Sequence, residues 1–188
     1  MPRPSRRDHL VQTAIGLFCE HGYHATGIER ILEAAGVSKK TMYQHFCSKE
    51  ELIYAALRQY DGVFRNNFMK AVEQSGATPQ EKLLAIFDVA EAWFKDDKFF
   101  GCMFINAIGE YSEDSSPIRQ ISRQFKQQMW DYVASLVKAA GAEDVKELAD
   151  ELCLLLEGAI VTAQVSQSHT AASTAKNIAQ KLLKNSLT

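Results

Sequence analysis

The chain has 188 residues, of which 46% are hydrophobic and 23% charged, so it can bury one good core or two small ones and does not have the composition of a disordered chain. A membrane protein is excluded as well, because the longest apolar stretch, 152–163, is interrupted by Glu157 and is too short to cross a bilayer. The formal net charge of −2 offers no global attraction to a polyanion: residues 1–53 carry seven Lys or Arg against six Asp or Glu, and the rest carry fourteen against seventeen. Any nucleic-acid binding must come from where the cations are placed.

The N-terminus, M-P-R-P-S-R-R-D, is basic but is followed by no apolar core or cleavage site, so a secretory signal is not expected and the cytoplasm is the expected location. Arg3, Arg6 and Arg7 form a cationic arm. The first helix is predicted over 6–20, with Leu10, Val11, Ala14, Ile15, Leu17 and Phe18 at 3.6-residue periodicity and a stop at Gly22. Thr26 and Glu29 have capping-box spacing, which predicts a second helix from about residue 27 with Ile28, Ile31, Leu32 and Ala35 on its inner face. Gly36 supplies the tight turn. Val37 then drops between the helices, and Ser38 caps a third helix that is predicted to run to about residue 46. Met42 and Phe46 face inward there, which leaves Lys39, Lys40, Thr41, Tyr43, Gln44 and His45 on or beside the outer face. Such a mixture of cations, hydroxyls and an amide suits phosphates and base edges. Ser48 and Glu51 make another capping box, so Lys49 and a set of free amides open the fourth helix where a phosphate could sit.

That fourth helix, 49–74, carries Leu52, Ile53, Ala56, Leu57, Tyr60, Val63, Phe64 and Phe68 and is long enough to leave one core and enter another as a connecting lever. Ser75-Gly76-Ala77 breaks it. Thr78, Pro79 and Glu81 start a fifth helix reaching about residue 95; a sixth is predicted over 98–111, and Ser116-Pro117 opens a seventh that stops at Ala140-Gly141. Two more follow over 143–168 and 171–186. Strand alternation, internal repeats and low-complexity linkers are all absent. The fold class is therefore all-α, with about nine helices.

In the order Leu17, Phe18, Gly22, Tyr23, Thr26, Ile31, Ala35-Gly36-Val37-Ser38, Thr41, Tyr43, His45, Phe46, Lys49 and Leu52, the chain resembles the tetracycline-repressor (TetR) family of transcription regulators. The match covers about fifty N-terminal residues. Two positions depart from the family pattern: Gly27 stands where a second phosphate-binding hydroxyl is usual, and Lys40 where glycine is frequent. The resemblance implies a helix-turn-helix DNA-binding domain over 1–48 and a helical ligand-binding and dimerisation domain over 49–188. By resemblance, Thr26, Tyr43, His45 and Lys49 hold phosphates, and Gly27 and Ser38 are counted with them among the DNA-binding residues. Lys39, Lys40, Thr41 and Gln44 approach base edges of an operator in double-stranded DNA.

The last two helices read as an association surface. Leu152, Leu156, Ala159, Ile160 and Ala163 form one stripe and Ala175, Ile178, Ala179 and Leu182 another, and small side chains let helices approach closely. In the family these helices pair with those of a second subunit. A homodimer also has a mechanical reason, since two probe helices on a dyad read half-sites about 34–36 Å apart, which makes the operator a pseudo-palindrome.

The middle helices are aromatic, and the resemblance places an unidentified small apolar or aromatic inducer among Phe64, Trp93, Cys102, Asn106, Glu110, Phe125, Met129 and Trp130. The stretch G-C-M-F-I-N-A-I-G-E, 101–110, is similar to one in a subgroup of the family whose helix lies beside the cavity. The expected activity is that of a repressor released by its ligand. A thiol-based redox or electrophile sensor using Cys102 and a ligand-independent architectural DNA-binding protein are the alternatives. No enzyme is expected: the chain has no glycine-rich phosphate cradle, no G-x-S-x-G elbow and no H-E-x-x-H pair. His9, His21, His24, His45 and His169 lack ligand spacing, and Cys19, Cys47, Cys102 and Cys153 lack paired spacing, so neither metal, cofactor nor disulfide is predicted.

Overall fold

The computed structural model describes residues 5–168 and 170–187; Arg3 and His169 lie outside them. Among the described residues the order is α1 (Arg6–His21), α2 (Ile28–Ala35), α3 (Lys39–Tyr43), α4 (Lys49–Ser75), α5 (Pro79–Phe94), α6 (Met103–Glu110), α7 (Pro117–Ala139), α8 (Val145–Ser166) and α9 (Ala171–Ser186), with no strand. Contacts divide the chain into two compact units, Met1–Val63 with Met103–Phe125 and Phe64–Cys102 with Lys126–Thr188. This division follows packing and differs from the 48/49 boundary that the motif suggests.

In the first unit, Ser5 caps α1 by accepting from the Asp8 N–H at 3.1 Å, and Leu10, Val11, Ala14, Ile15 and Phe18 are buried along one side. Gly22 ends the helix at φ +80°, a backbone that a side chain would strain. The start of α2 differs from the capping-box expectation. Gly27 is the cap residue and no side-chain hydroxyl caps the helix. Thr26 is instead fully buried and donates to the carbonyls of Gly22 at 2.6 Å and Leu17 at 3.3 Å, which ties off the α1–α2 turn. A carboxylate replaces the hydroxyl: Glu29 is held below its usual range by its own backbone N–H and by Lys39. Gly36 closes α2 in the left-handed region, φ +61°, and sends its N–H to Glu33 while the Val37 N–H reaches Leu32.

The remainder of this unit packs aromatic rings. Phe104 of α6 stacks on Phe125 of α7 with centroids 3.8 Å apart and meets Tyr60 of α4 at 6.0 Å. Arg119 of α7 caps the end of α6, donating to the carbonyls of Ile108 at 3.3 Å and Tyr111 at 3.1 Å, while its Nε meets Asp114 at 3.2 Å. These bonds satisfy carbonyls that a helix end leaves open. Helix α6 starts at Met103, five residues later than the periodicity predicts, because residues 95–98 turn and Gly101 takes φ +82°.

In the second unit, α5 opens with the predicted capping box, Thr78 and Glu81 bonding each other's backbone, and with Pro79 in the first turn. Helices α5, α8 and α9 pack on one another, pinned at one edge by Lys176 and Asp88 at 2.6 Å. That packing buries most of the predicted dimer face within the chain. Leu152, Leu156, Ala159, Ile160, Ala163, Ala175 and Ala179 are all under 9% exposed, so within this chain they pack into its own core and offer little surface. Each large side chain among them contributes roughly 1.5–3 kcal/mol by burial. The exposed apolar side chains of these helices are Leu154, Val161, Val165 and Ile178, and Leu182 is half-buried. Leu154, Gly158, Val161 and Val165 recur at four-, three- and four-residue steps along one side of α8.

Candidate nucleic-acid interface

Helix α3 is five residues long and ends at Tyr43, three residues before its predicted end, with Gln44 as its C-cap. Its start is as the sequence requires: the Ser38 hydroxyl accepts from the Thr41 N–H at 3.1 Å and shares a hydrogen bond with the Thr41 hydroxyl at 2.9 Å. Met42 is fully buried and Phe46 nearly so, and these two anchors turn the rest of the segment outward. Lys39, Lys40, Gln44 and His45 are exposed, Tyr43 is 46% exposed and Thr41 is half-buried. The Lys39 ammonium lies 3.5 Å from Glu29 on a fully solvated surface, a contact too weak to hold it against a phosphate.

The next cap is reciprocal, with the Ser48 hydroxyl accepting from Glu51 N–H at 3.2 Å and the Glu51 carboxylate accepting from Cys47 N–H at 2.7 Å. Lys49 sits at the start of α4 and reaches the His24 carbonyl at 3.4 Å. Of the predicted phosphate ligands, Tyr43 and His45 are exposed and Lys49 is half-buried at the start of α4. Thr26 is the exception. Its hydroxyl is buried and already donates to two carbonyls, so its side chain shapes the turn and faces away from the surface. The exposed backbone at Gly27 begins α2 beside it. Of the predicted arm, Arg6 and Arg7 belong to the first turn of α1, and the Arg7 guanidinium lies 5.1 Å from the Phe46 ring centre.

Glu110 is predicted as a ligand contact, yet its carboxylate is bound to the α1–α2 turn. It accepts from the Tyr23 N–H at 2.8 Å, the His24 N–H at 2.6 Å and His24 Nδ1 at 2.8 Å. Burial pushes this carboxyl up, but the two backbone N–H groups and the His24 ring outweigh it and leave the net value lowered. Tyr23, fully buried, donates its hydroxyl to the Met103 carbonyl at 2.8 Å, so both ends of α6 are tied to one turn. Tyr111, stacked 4.9 Å from the His24 ring, has its phenol pushed up to about 12 by burial and by Glu50 and Glu110.

The other predicted ligand residues divide between the units. Asn106 is half-buried on α6, and Phe125 belongs to the stack on Phe104. In the second unit Trp93 is the hub of an aromatic cluster, 4.8 Å from Phe64, 5.8 Å from Phe94 and 5.0 Å from Phe99. Cys102 is buried, Met129 is half-buried, and the Trp130 indole N–H donates to Asp150 at 2.7 Å. The sequence reading missed Gln128, whose Oε1 is buried and has no hydrogen-bond partner among the described residues. A buried acceptor without a donor is costly. Nothing in the local sequence separates this glutamine from Gln127, which bonds Asp131. Among the described residues no group of three or more His, Cys, Asp or Glu is placed to hold a metal, and no helix is long and apolar enough to cross a membrane.

The family model described as bacterial regulatory proteins, tetR family, matches residues 10–56, and the model described as tetracyclin repressor-like, C-terminal domain, matches residues 79–179. The HTH-type transcriptional regulator YjdC of Escherichia coli (strain K12) is 27% identical over 182 residues, covering 95% of this chain and 94% of the relative. ComR, an HTH-type transcriptional repressor of the same organism, is 28% identical over 175 residues, covering 89% of this chain and 83% of that one. Among solved structures, SCO4454, a TetR-family transcriptional regulator from Streptomyces coelicolor, has a TM-score of 0.90 at 27% identity, with 97% of this chain and 96% of that chain covered. With the helix-turn-helix and more than half of the chain's length matched by the family's own models, the protein belongs to the TetR family of helix-turn-helix transcriptional regulators.

Proposed function

We propose that the protein is a homodimeric repressor that leaves a pseudo-palindromic operator when a small apolar or aromatic molecule binds its C-terminal helices. The observation that carries the DNA-binding part is the two-sidedness of residues 38–46: Met42 and Phe46 are buried, and Lys39, Lys40, Tyr43, Gln44 and His45 are exposed together. In this reading Tyr43, His45 and Lys49 position the phosphates, while Lys39, Lys40, Thr41 and Gln44 address base edges. Residues 1–48 serve as the reading domain and 49–188 as the sensing and dimerising domain.

Dimerisation rests on the stripe of Leu154, Gly158, Val161 and Val165, with Ile178 exposed on α9. A contiguous apolar stripe is costly to leave in water, and Gly158 has open space where a side chain would stand, which suits a close helix approach. For the ligand, the aromatic cluster around Trp93 and the unpaired acceptor of Gln128 belong to one unit, and together they favour an apolar body that carries a donor group. A ligand that binds better to one conformer shifts the dimer toward it, and if that conformer spaces the two α3 helices wrongly, ligand and DNA oppose each other. The test is selection of duplexes from a random pool by the purified protein. A palindromic consensus bound by a dimer is the expected result. Equal recovery of all sequences, or binding by a monomer, would overturn the reading.

A further inference from the structure

A cleft of about 890 Å³ lies within the first unit, between the start of α4 with residues 45–46 and the segment 110–118 that links α6 to α7. It is separate from the Trp93 cluster, which belongs to the second unit. Its aromatic lining is Phe46, Tyr54 and Tyr111. Tyr54 is 36% exposed, and one face of Tyr111 is already covered by His24.

Charge distinguishes this cleft from an ordinary surface groove. Four carboxylates line it, Glu50, Glu51, Glu110 and Glu113, against one guanidinium, Arg7. Two of the four are bound to backbone amides, Glu51 at Cys47 and Glu110 at Tyr23 and His24. Among the described residues the exposed carboxylates of Glu50 and Glu113 have no ion-pair or hydrogen-bond partner, and they come from the two different segments that line the cleft. The charge of Glu50 acts on the Tyr111 phenol, so the two walls lie within electrostatic reach of each other. On the cleft's own lining the Arg7 guanidinium, a planar cation, lies 5.1 Å from the Phe46 ring centre.

We infer that this cleft is a binding site for a small aromatic cation of the amidine or guanidine class, its ring against the aromatic side chains and its charge between Glu50 and Glu113. A planar cation gains paired hydrogen bonds from carboxylates and an attraction to ring faces, and a neutral molecule of the same shape gains neither. Occupancy adds positive charge next to His45 and the α4 start. Tighter duplex binding in the presence of the cation follows from this, a consequence that rests on the DNA-facing assignment proposed above.

Benzamidine is the probe and benzamide its neutral counterpart, each titrated into the full-length protein by calorimetry and by amide-resonance NMR. Benzamidine should bind with a Kd of roughly a millimolar or tighter and shift the resonances of Glu50, Tyr54, Tyr111 and Glu113, while benzamide does neither at the same concentration. The double variant E50Q/E113Q should weaken benzamidine by about tenfold, the loss expected when charge-assisted bonds become neutral ones. Arg7→Ala should strengthen it, since the chain's own cation no longer competes for the Phe46 face. Equal binding of the two probes, unchanged binding by the double variant, or shifts confined to other residues would overturn the site. Binding as described with duplex affinity unchanged would uphold the site and count against the DNA-facing assignment instead.

Discussion

Residues 6–52 and the α8–α9 pair are both amphipathic helical segments, but the first could be read almost residue by residue and the second could not. In the first, short-range rules dictate the outcome: Ser38 finds the Thr41 amide, Gly36 takes the left-handed turn, and Met42 and Phe46 bury at helical spacing. In α8 and α9 nearly every turn carries apolar side chains on more than one side. Periodicity then finds a helix without saying which side faces the chain's own core. The difference teaches that an apolar stripe alone cannot distinguish an interior from an interface.

The largest expected effect tests that distinction directly. Leu156 is 8% exposed and Leu154 is 74% exposed, two residues apart on one helix. Leu156→Asp buries an unpaired carboxylate and should cost several kcal/mol, enough to abolish the cooperative thermal transition. Leu154→Asp should leave helicity and Tm close to those of the unmodified protein while converting dimer to monomer in light scattering. If Leu154→Asp remains dimeric, the exposed stripe is not the contact surface and the comparison fails.

A second contrast falls within the first unit, where the α1–α2 turn depends on a residue far away in the sequence. Glu110→Ala removes the acceptor of the Tyr23 and His24 amides and should destabilise the protein by about 1–3 kcal/mol, read as a lowered urea midpoint. The carboxyl is lowered below its usual 4.5 in the folded protein, so its contribution is fully present above that value. The contribution is lost as pH falls below 4.5 through the folded-state value. Glu110→Gln should flatten that part of the stability profile. An unchanged acid limb in the Gln variant would show that the turn does not draw on this charge.

Legibility follows the reach of each interaction. The helix order, the caps at Thr78 and Ser38 and the outer face of α3 rest on partners within four residues, and the chain spells them out. The Glu110 clamp spans 86 and 87 residues of sequence, and the spacing of Thr26 to Glu29 fits a cap although the Thr26 hydroxyl turns inward to Gly22. The unpaired Gln128 acceptor is a property of the packed interior and has no local signature.

Two caps then separate stability from function. Ser38→Ala and Thr78→Ala each remove a hydroxyl that accepts from a helix amide, at 3.1 and 3.2 Å respectively, and each should cost about 1 kcal/mol. Only the first shapes the DNA-facing segment, so only Ser38→Ala should also weaken operator binding at a temperature where both variants are fully folded. Equal operator affinities for the two would mean that the cap stabilises α3 without orienting it.

The smallest structural effect, and the sharpest functional one, belongs to the exposed face itself. Lys40→Ala and Gln44→Ala alter solvated side chains and should each change stability by less than about 0.5 kcal/mol. Their DNA phenotypes should nevertheless diverge from that of Tyr43→Phe. Losing a phosphate contact weakens every sequence alike, whereas losing a contact to base edges changes the ranking of operator variants, by about 1–3 kcal/mol at the position it reads. A cation that addresses a base also neutralises charge, so Lys40→Ala should lower the salt dependence by nearly one unit of log K per log salt while Gln44→Ala leaves the slope unchanged. If Gln44→Ala and Tyr43→Phe lose the same factor on every operator tested, the exposed face of α3 binds DNA without reading it, and the sequence readout lies elsewhere on the head.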